Sequence, residues 1–423
     1  MAFGRQRSRL LVVATLAASA GCNGGPHQRG GSVGGDAGAP DGASSSSSGG
    51  SSGGSGSDSG GGGSSGGDGG NADAAPCDGG LAWCNATCVD LTQDGHNCGA
   101  CGHDCVGSTC SAGACEPVIL ASGQGDPVGI AVDSTSVYWT AFVVDGGTAG
   151  SGVVMKVALD GGTPITLASG QPGPSTIAID STSVYWANGG SGAGTGTVMK
   201  VALDGGSPVT LASGQSYAWG IAIDSTSVYW VSEESGTGPD TGTLLKVALD
   251  GGSLTTLAAG QASPWDVAVD STSAYWVNNV GMGGGTVMKA PLLSAGAATT
   301  LASGQSNPQN IVVDSTSAYW TNAQSGNTVM KVALDGGSLV TLASGQSYPW
   351  GIAIDSTSVY WTDYGANDGT VDGTGTVMKV ALDGGSPVTL ASAQSYPWAI
   401  AVDSTSVYWT DQGIPGAVMK VAK

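Results

Sequence analysis

The run Asp-Ser-Thr-Ser-(Val/Ala)-Tyr-Trp occurs seven times in this chain of 423 residues, and no other feature constrains its fold as strongly. The copies begin at Asp133, Asp180, Asp224, Asp270, Asp314, Asp355 and Asp403, so successive copies stand 41 to 48 residues apart. A repeat of this length is one supersecondary unit that cannot bury its apolar face alone. The seven units must therefore pack against one another in a single body.

Each unit contains four strand signals separated by turn-forming residues. In the sixth unit these signals are residues 351–354, 359–362, 376–382 and 387–391. Asp-Ser-Thr-Ser joins the first two strands, and Asp-Gly-Gly joins the last two. Four strands in about 45 residues are typical of one blade of a β-propeller. The chain is therefore predicted to be all-β, with a seven-bladed propeller over residues 117–423.

The two ends of the repeat region indicate how the ring closes. Residues 117–124 are a lone copy of a fourth strand, and residues 417–423 are a third strand with no fourth after it. The N-terminal strand is therefore predicted to complete the last blade, which would give every blade four strands. Closure of this kind removes the exposed edge that a three-stranded blade would present.

The blades resemble those of the YWTD and NHL-like propeller families. Residues 360–363 and 408–411 match Tyr-Trp-Thr-Asp fully, whereas residues 185–188 read Tyr-Trp-Ala-Asn. YWTD propellers have six blades, so the seven copies are a departure from that family. The resemblance implies the binding of a protein or another ligand rather than catalysis.

The first 76 residues differ in composition from the rest. Three arginines within residues 5–9 precede a short apolar run at 10–18, and Ser-Ala-Gly-Cys ends at Cys22. Residues 1–21 resemble the signal peptide of bacterial lipoproteins, which implies lipidation of Cys22. The alternative is ordinary signal cleavage without a lipid. Residues 22–76, rich in Gly and Ser, are predicted to be a disordered tether.

Eight further cysteines lie within residues 77–116, which are predicted to form a small separate module. A segment this short cannot stabilise itself by core burial, and an even number of cysteines in an exported chain favours four disulfides, with their pairing left open. The eight cysteines are Cys77, Cys84, Cys88, Cys98, Cys101, Cys105, Cys110 and Cys115.

Residues 97–105 read Asn-Cys-Gly-Ala-Cys-Gly-His-Asp-Cys and resemble the Stig1-type cysteine-rich module. That resemblance implies an extracellular setting. Two alternatives to disulfides remain open at this point. Cys98 and Cys101 have the spacing of a redox dithiol, and cysteine pairs near His96 and His103 could bind zinc.

Aromatic residues mark one face of the predicted ring. The turns from the fourth strand of one blade to the first strand of the next lie on the same face as the loops from second to third strands, and this face is called the top. The candidate ligand-binding residues in those turns are Trp219, Trp265, Trp350, Trp398, Tyr217, Tyr348 and Tyr396. The other blades have Val128, Ser175 and Gln309 at the tryptophan position. The tryptophans either form a stacking platform for a sugar or peptide or pack between blades.

The opposite face, called the bottom, carries the Asp-Ser-Thr-Ser and Asp-Gly-Gly turns. Their aspartates are expected to cap turns, and the alternative is a calcium site. One lysine in each blade, from Lys156 to Lys420, is expected to be solvated or to extend along the surface towards water.

Composition limits the function. A net charge of −20 argues against binding to nucleic acid or anionic lipid. Residues 117–423 contain no His, Cys or Arg and only two glutamates, Glu233 and Glu234. We therefore predict that the chain is not an enzyme, with no catalytic residues, metal or cofactor.

The predicted role is that of a monomeric binding or scaffold protein at the outer membrane or cell surface, which touches the membrane only through its lipid and whose partner is a protein or a glycan. The alternatives are a lyase-like or lactonase-like propeller enzyme and a structural spacer of the cell envelope. Convergent polar side chains at the top mouth would favour binding, and a channel filled only by apolar side chains would favour the spacer.

Overall fold

The structure is a computed structural model, and it describes Cys77 and residues 80–142, 152–233, 241–281, 283–293, 297–365 and 373–423. These residues all belong to one of the two units into which the chain divides. The predicted signal peptide, Cys22 and the tether lie outside the described residues. Within the described ranges, no helix is long and apolar enough to cross a membrane.

The cysteine module has two short antiparallel strand pairs. They are β1 (Ala82–Cys84) with β2 (Thr87–Val89), and β3 (Cys110–Ser111) with β4 (Ala114–Cys115). The next strand, β5 (Val118–Ser122), is the lone fourth strand anticipated above.

The remaining strands form blades of consecutive antiparallel strands. Blade 1 is β6 (Asp126–Val132), β7 (Ser136–Phe142), β8 (Gly152–Ala158) and β9 (Ile165–Gln171). Blade 2 is β10 (Pro174–Ile179), β11 (Ser183–Asn188), β12 (Gly196–Ala202) and β13 (Val209–Gln215). Blade 3 is β14 (Ala218–Ile223), β15 (Ser227–Ser232), β16 (Gly242–Ala248) and β17 (Thr255–Gln261). Blade 4 is β18 (Pro264–Val269), β19 (Ser273–Asn278), β20 (Gly285–Pro291) and β21 (Thr299–Gln305).

Three further blades follow. Blade 5 is β22 (Pro308–Val313), β23 (Ser317–Asn322), β24 (Thr328–Ala333) and β25 (Val340–Ala343). Blade 6 is β26 (Pro349–Ile354), β27 (Ser358–Asp363), β28 (Gly375–Ala381) and β29 (Val388–Gln394). Blade 7 is β30 (Pro397–Val402), β31 (Ser406–Asp411) and β32 (Ala417–Ala422), with β5 as its fourth strand.

The N-terminal strand closes the ring as predicted. β5 pairs with β32, with Ala121 opposite Val418 and Val118 opposite Lys420. The first strands of the seven blades contact one another in ring order, from β6 round to β30 and back to β6. The predicted seven-bladed propeller with four strands in every blade is confirmed.

The repeated Tyr-Trp pair supplies the packing between blades. All seven of these tryptophans are fully buried, and Trp230 of blade 3 shares a buried cluster with Tyr185 of blade 2. In five blades the indole Nε1 of this tryptophan also donates a hydrogen bond of 3.0–3.2 Å to Oε1 of a glutamine that follows the fourth strand of the preceding blade or ends it. These pairs are Trp186–Gln171, Trp230–Gln215, Trp276–Gln261, Trp320–Gln305 and Trp361–Gln346.

The bottom aspartates of the Asp-Ser-Thr-Ser runs cap turns, as expected. In blade 1, Asp133 Oδ1 accepts from the main-chain nitrogens of Thr135 (2.7 Å) and Ser136 (2.8 Å), and Asp133 Oδ2 accepts from the Tyr138 hydroxyl (2.9 Å). The other six copies repeat this arrangement. Burial alone would raise the pKa of Asp133, but the hydrogen bonds from Thr135, Tyr138 and Ser136 outweigh it and hold that pKa below its ordinary value.

In six blades the lysine has a hydrogen-bond partner that the sequence did not predict. Each of these lysines is half-buried and donates from Nζ to a leucine carbonyl oxygen of the next blade, at 2.6–3.0 Å, because the seam brings that carbonyl within reach. The pairs are Lys156–Leu203, Lys200–Leu249, Lys246–Leu292, Lys289–Leu334, Lys331–Leu382 and Lys420–Leu159. The lysines therefore fasten neighbouring blades at the bottom.

The eight cysteines form four disulfides, namely Cys77–Cys88, Cys84–Cys101, Cys98–Cys110 and Cys105–Cys115. Because Cys98 and Cys101 pair with different partners, the redox-dithiol alternative is wrong. The bonded cysteines leave no thiolate within the described module to bind zinc.

The cysteine module docks at the bottom of the seam between blades 6 and 7. Lys423 takes the place that a leucine holds in the other blades, and its main-chain oxygen lies 2.8 Å from His103 Nε2. His103 Nδ1 lies 2.6 Å from the main-chain oxygen of Cys98. The Lys423 ammonium binds the Asp355 carboxylate at 2.6 Å. The module thus packs against the seam between blades 6 and 7, where Lys423 replaces the leucine.

Candidate functional site

The four candidate tryptophans occupy one register position. Trp219, Trp265, Trp350 and Trp398 are each the second residue of the first strand of blades 3, 4, 6 and 7. Because first strands surround the channel and begin at the top, these side chains meet at the top mouth of the channel. All four are half-buried.

Their rings form a continuous aromatic surface. Trp219 and Trp265 stack with centroids 4.8 Å apart, and Trp350 and Trp398 approach to 3.9 Å. Trp265 and Trp350 join the two pairs edge to face at 6.4 Å and 83°, although blade 5 separates their blades. Trp219 and Trp265 also pack against the buried clusters between their blades and the next, so the tryptophans combine packing between blades with a shared surface. They form one surface that spans the mouth.

Tyr364 lies against the same rings, although it was not among the residues predicted from the sequence. Its ring lies 5.7 Å from Trp398, 6.5 Å from Trp350 and 4.9 Å from Tyr396. Its position directly after the Tyr-Trp-Thr-Asp run of blade 6, at the start of a top loop, was the available signal. Together these rings are called the aromatic cluster, which consists of Trp219, Trp265, Trp350, Trp398, Tyr364 and Tyr396.

Only one of the three candidate tyrosines lies in the aromatic cluster. Tyr396 is only 6% exposed and joins the cluster through Tyr364. Tyr217 and Tyr348 are half-buried, and within the described residues the ring contacts do not extend to them. All three have positive φ, at 51°, 63° and 63°. Blade 2 places Gly173 at this turn position, and glycine is the residue that such a conformation favours.

The backbone beneath the cluster is held by side chains of preceding blades. Thr321 and Thr362 each donate through Oγ1, at 2.6 Å, to the main-chain oxygens of Trp350 and Trp398 respectively. Thr176 does the same for Trp219, also at 2.6 Å. These hydrogen bonds hold the main chain of three of the four tryptophans in place.

Gln309 holds the tryptophan position in blade 5, between Trp265 and Trp350 in the ring order. It is 1% exposed. Its Nε2 donates to the main-chain oxygen of Asn307 at 3.1 Å, whereas its Oε1 has no hydrogen-bond partner among the described residues. Blade 5 therefore has a buried polar acceptor at the register position that tryptophan occupies in the blades on either side.

Two of the buried carboxyl groups at the top of the propeller have a raised pKa. Asp266 directly follows Trp265 and accepts hydrogen bonds of 3.0 Å from Asn310 Nδ2 and the Ile311 main-chain nitrogen. Burial nevertheless raises the pKa of Asp266 to about 6. Asp363 directly precedes Tyr364 and accepts from Thr376 Oγ1 at 3.2 Å. Burial raises the pKa of Asp363 to about 7.

No family model matches the sequence. No curated protein matches it. Solved structures match through the propeller. A puromycin hydrolase variant is 15% identical with a TM-score of 0.55, and the match covers 72% of this chain and 53% of that one. The WD40 β-propeller domain of Doa1 is 15% identical with a TM-score of 0.54, over 72% of this chain and 96% of that domain.

A puromycin-hydrolysing peptidase from Mycobacterium tuberculosis is 16% identical with a TM-score of 0.53, over 72% of this chain and 52% of that one. This chain therefore spans about half the length of the puromycin-hydrolysing proteins that it matches. At such identities the likeness shows the fold alone.

The prediction that the chain is not an enzyme is wrong. Puromycin-hydrolysing proteins share this propeller architecture, so chains that contain it include enzymes. The prediction depended on the absence of His, Cys and Arg from residues 117–423, and on a family resemblance that implied binding. Neither argument excludes catalysis for a chain of this fold.

Proposed function

We propose that the chain is an exported binding protein whose propeller holds a ligand with flat ring faces against the aromatic cluster. One observation carries the proposal: Trp219, Trp265, Trp350 and Trp398 come from four blades, contact one another and remain half-buried. Half-buried indoles combine a large apolar face with a fixed position, which suits stacking against a ring.

The unequal distribution of tryptophan among the blades supports this proposal. The fully buried Tyr-Trp pairs occur in all seven blades, as expected for residues that the blade needs in order to pack. The cluster position instead holds Val128, Ser175 and Gln309 in blades 1, 2 and 5, and those blades fold with the same four strands. Tryptophan at this position is therefore not a requirement of the blade.

The tyrosines in left-handed turns support it as well. A bulky residue with positive φ carries a cost of about 1–2 kcal/mol that glycine avoids. The same turn position also has positive φ in blades 2, 4 and 5, where it holds Gly173, Ser263 and Asn307. Among these six blades, the bulky residues Tyr217, Tyr348 and Tyr396 occur only beside a tryptophan of the cluster.

The partner on this proposal is a protein or a glycan, and the propeller can act as a scaffold that presents its top face. Stacking on an aromatic ring contributes about 0.5–1.5 kcal/mol beyond burial. Several neighbouring rings would therefore give a weak affinity, on the order of millimolar for a single sugar. The cysteine module docks at the bottom, so among the described residues it does not cover the cluster.

The proposal extends to location. Four disulfides support an oxidising compartment. Together with the signal-like N-terminus and Cys22, they support a lipid-anchored lipoprotein of the outer membrane or cell surface. Cys22→Ser would then release the chain into the soluble fraction, and unchanged membrane partition would contradict the anchor.

The binding role is tested by probing glycan and peptide arrays with the full chain and with two variants. Trp350→Ala removes a ring that contacts three other rings of the cluster. Trp83→Ala is the control, because Trp83 is 52% exposed in the cysteine module. We expect signals that Trp350→Ala abolishes and Trp83→Ala leaves intact. Equal signals for both variants would refute the site.

A further inference from the structure

The proposed site contains one feature that specifies its ligand further. We propose that the ligand is a neutral carbohydrate, which stacks on the aromatic cluster and donates a hydroxyl hydrogen bond to Gln309 Oε1. This inference rests on the proposed function, because it assigns a ligand class to the same mouth of the channel.

The orientation of the Gln309 amide is set by its own contact. Nε2 donates to the main-chain oxygen of Asn307, and a flipped amide would place two acceptors against each other. Oε1 is therefore the atom left without a partner among the described residues, in a side chain that is 1% exposed. A buried acceptor without a donor lowers the stability of the free protein, so its retention needs an explanation.

Comparison of the blades shows which unpartnered acceptors belong to the blade architecture and which do not. Asn188, Asn278 and Asn322 also have an unpartnered Oδ1 within the described part of the chain, and they share one position at the top of the second strand. Blade 2 has this feature without a tryptophan, so it belongs to the blade architecture. Gln309 is different, because its position in the other blades is filled by Trp, Val or Ser.

A carbohydrate fits both halves of this site. A pyranose ring offers apolar C–H faces to indole rings and hydroxyl donors around its edge, so one ligand can stack and donate together. A proline-rich peptide offers flat rings but no N–H at proline, and would leave Oε1 unpaired. Anionic glycans are disfavoured by the net charge of −20 and by Asp266, which directly follows Trp265.

The order of the blades places Gln309 between the two tryptophan pairs of the cluster. Trp265 and Trp350 meet edge to face across blade 5, the blade that carries Gln309. A sugar ring seated between these indoles would exchange their edge contact for stacking on both faces. Its hydroxyls would then point at the inner strand of blade 5.

The test titrates the full chain with neutral β-1,4-linked glucose and N-acetylglucosamine hexasaccharides, with polygalacturonate and a decaproline peptide beside them. Gln309→Met keeps the side-chain length and removes the acceptor. Val128→Ala is the control, because it changes the same register position in blade 1. We expect a neutral hexasaccharide to bind, Gln309→Met to weaken it about fivefold, and Val128→Ala to leave it unchanged.

Stability provides a second readout. Gln309→Met should change the melting temperature little, because it removes an unpaired buried acceptor together with the Nε2 hydrogen bond to the Asn307 main-chain oxygen. A Gln309→Met chain that binds the sugar as tightly as wild type, or that melts well below it, would overturn the inference. If only decaproline or array peptides bind, and Trp350→Ala abolishes that binding, the carbohydrate assignment fails and the proposed function stands. If Trp350→Ala changes no binding at all, both fail.

Discussion

The indole rings of Trp265 and Trp350 meet edge to face at 6.4 Å and 83°, across the blade that lies between theirs. Contact between non-adjacent blades means that these rings extend over the channel, and Trp265 also packs against the buried cluster between blades 4 and 5. The mouth therefore has an aromatic side, formed by blades 3, 4, 6 and 7, and a side of small residues at Val128 and Ser175. The top of the propeller is therefore asymmetric, although the seven blades share one fold.

The first prediction concerns the stability of the cluster. Trp350→Ala should destabilise the chain by about 2 kcal/mol, because its ring is half-buried and part of its apolar surface is already exposed to solvent. Trp361→Ala, at a fully buried seam position of the same blade, should cost about 3–5 kcal/mol. Urea unfolding measures both. Equal losses would mean that Trp350 is a packing residue, and the ligand site would lose its support.

The second prediction concerns Asp363. Its folded pKa of about 7 lies above the unfolded value of 3.8, so burial of the carboxyl costs progressively more stability as pH rises between these values. Asp363→Asn should remove this dependence and supply bonds like those that Asn322 Nδ2 makes to Gln305 Oε1 and Thr328 Oγ1. The variant should gain stability over wild type at pH 8 and little at pH 4, as measured by melting temperature.

Asp411→Asn is the matched control in blade 7. The Asp411 carboxylate accepts main-chain hydrogen bonds from Ser395 and Gly413, so an amide there loses an acceptor. This variant should be less stable than wild type. A stability gain from Asp411→Asn as large as that from Asp363→Asn would contradict the explanation.

The third prediction concerns the Asp–Tyr pairs of the bottom turns. Burial and the hydrogen bond to Asp180 raise the pKa of Tyr185 to about 12, above its unfolded value of 10.0. The stability from this pair is complete below pH 10 and is lost as pH rises through 12. Tyr185→Phe should reduce the fall of melting temperature between pH 10 and pH 12. An unchanged fall would show that this pair does not contribute to it.

The fourth prediction concerns the docking of the cysteine module. His103→Ala removes the contact to the Lys423 main-chain oxygen and should speed amide exchange in residues 97–105 and around Lys423. His96→Ala is the control, because His96 is exposed and contacts Asp104 within the module. Hydrogen exchange read by mass spectrometry distinguishes the two. Equal protection in both variants would mean that His103 does not hold the module in place.

Much of the fold could be predicted from the sequence because the repeat constrains it locally. The Asp-Ser-Thr-Ser turn, the buried Tyr-Trp pair and the lone strand β5 each depend on residues within one unit or at its boundary. The disulfide pairing could not be predicted, because spacing alone leaves the partners of Cys98 and Cys101 open.

The site was predictable only in part. The position of the four tryptophans follows from strand register, but contact between Trp265 and Trp350 depends on how side chains cross the channel. Tyr364 lies in a loop of variable length, and the carbonyl that each seam lysine reaches depends on the angle between blades. These are tertiary distances, which periodicity does not encode.

Whether the aromatic cluster binds the ligand is tested by a calorimetric titration of the full chain with the array ligand that gives the strongest signal. The titration is repeated with the Trp265→Ala/Trp350→Ala double variant and with Trp83→Ala. We predict saturable binding to wild type and to Trp83→Ala, and a loss of about tenfold or more in the double variant, since two stacking contacts are removed. Unchanged affinity in a folded double variant would contradict the claim that the aromatic cluster is the ligand site.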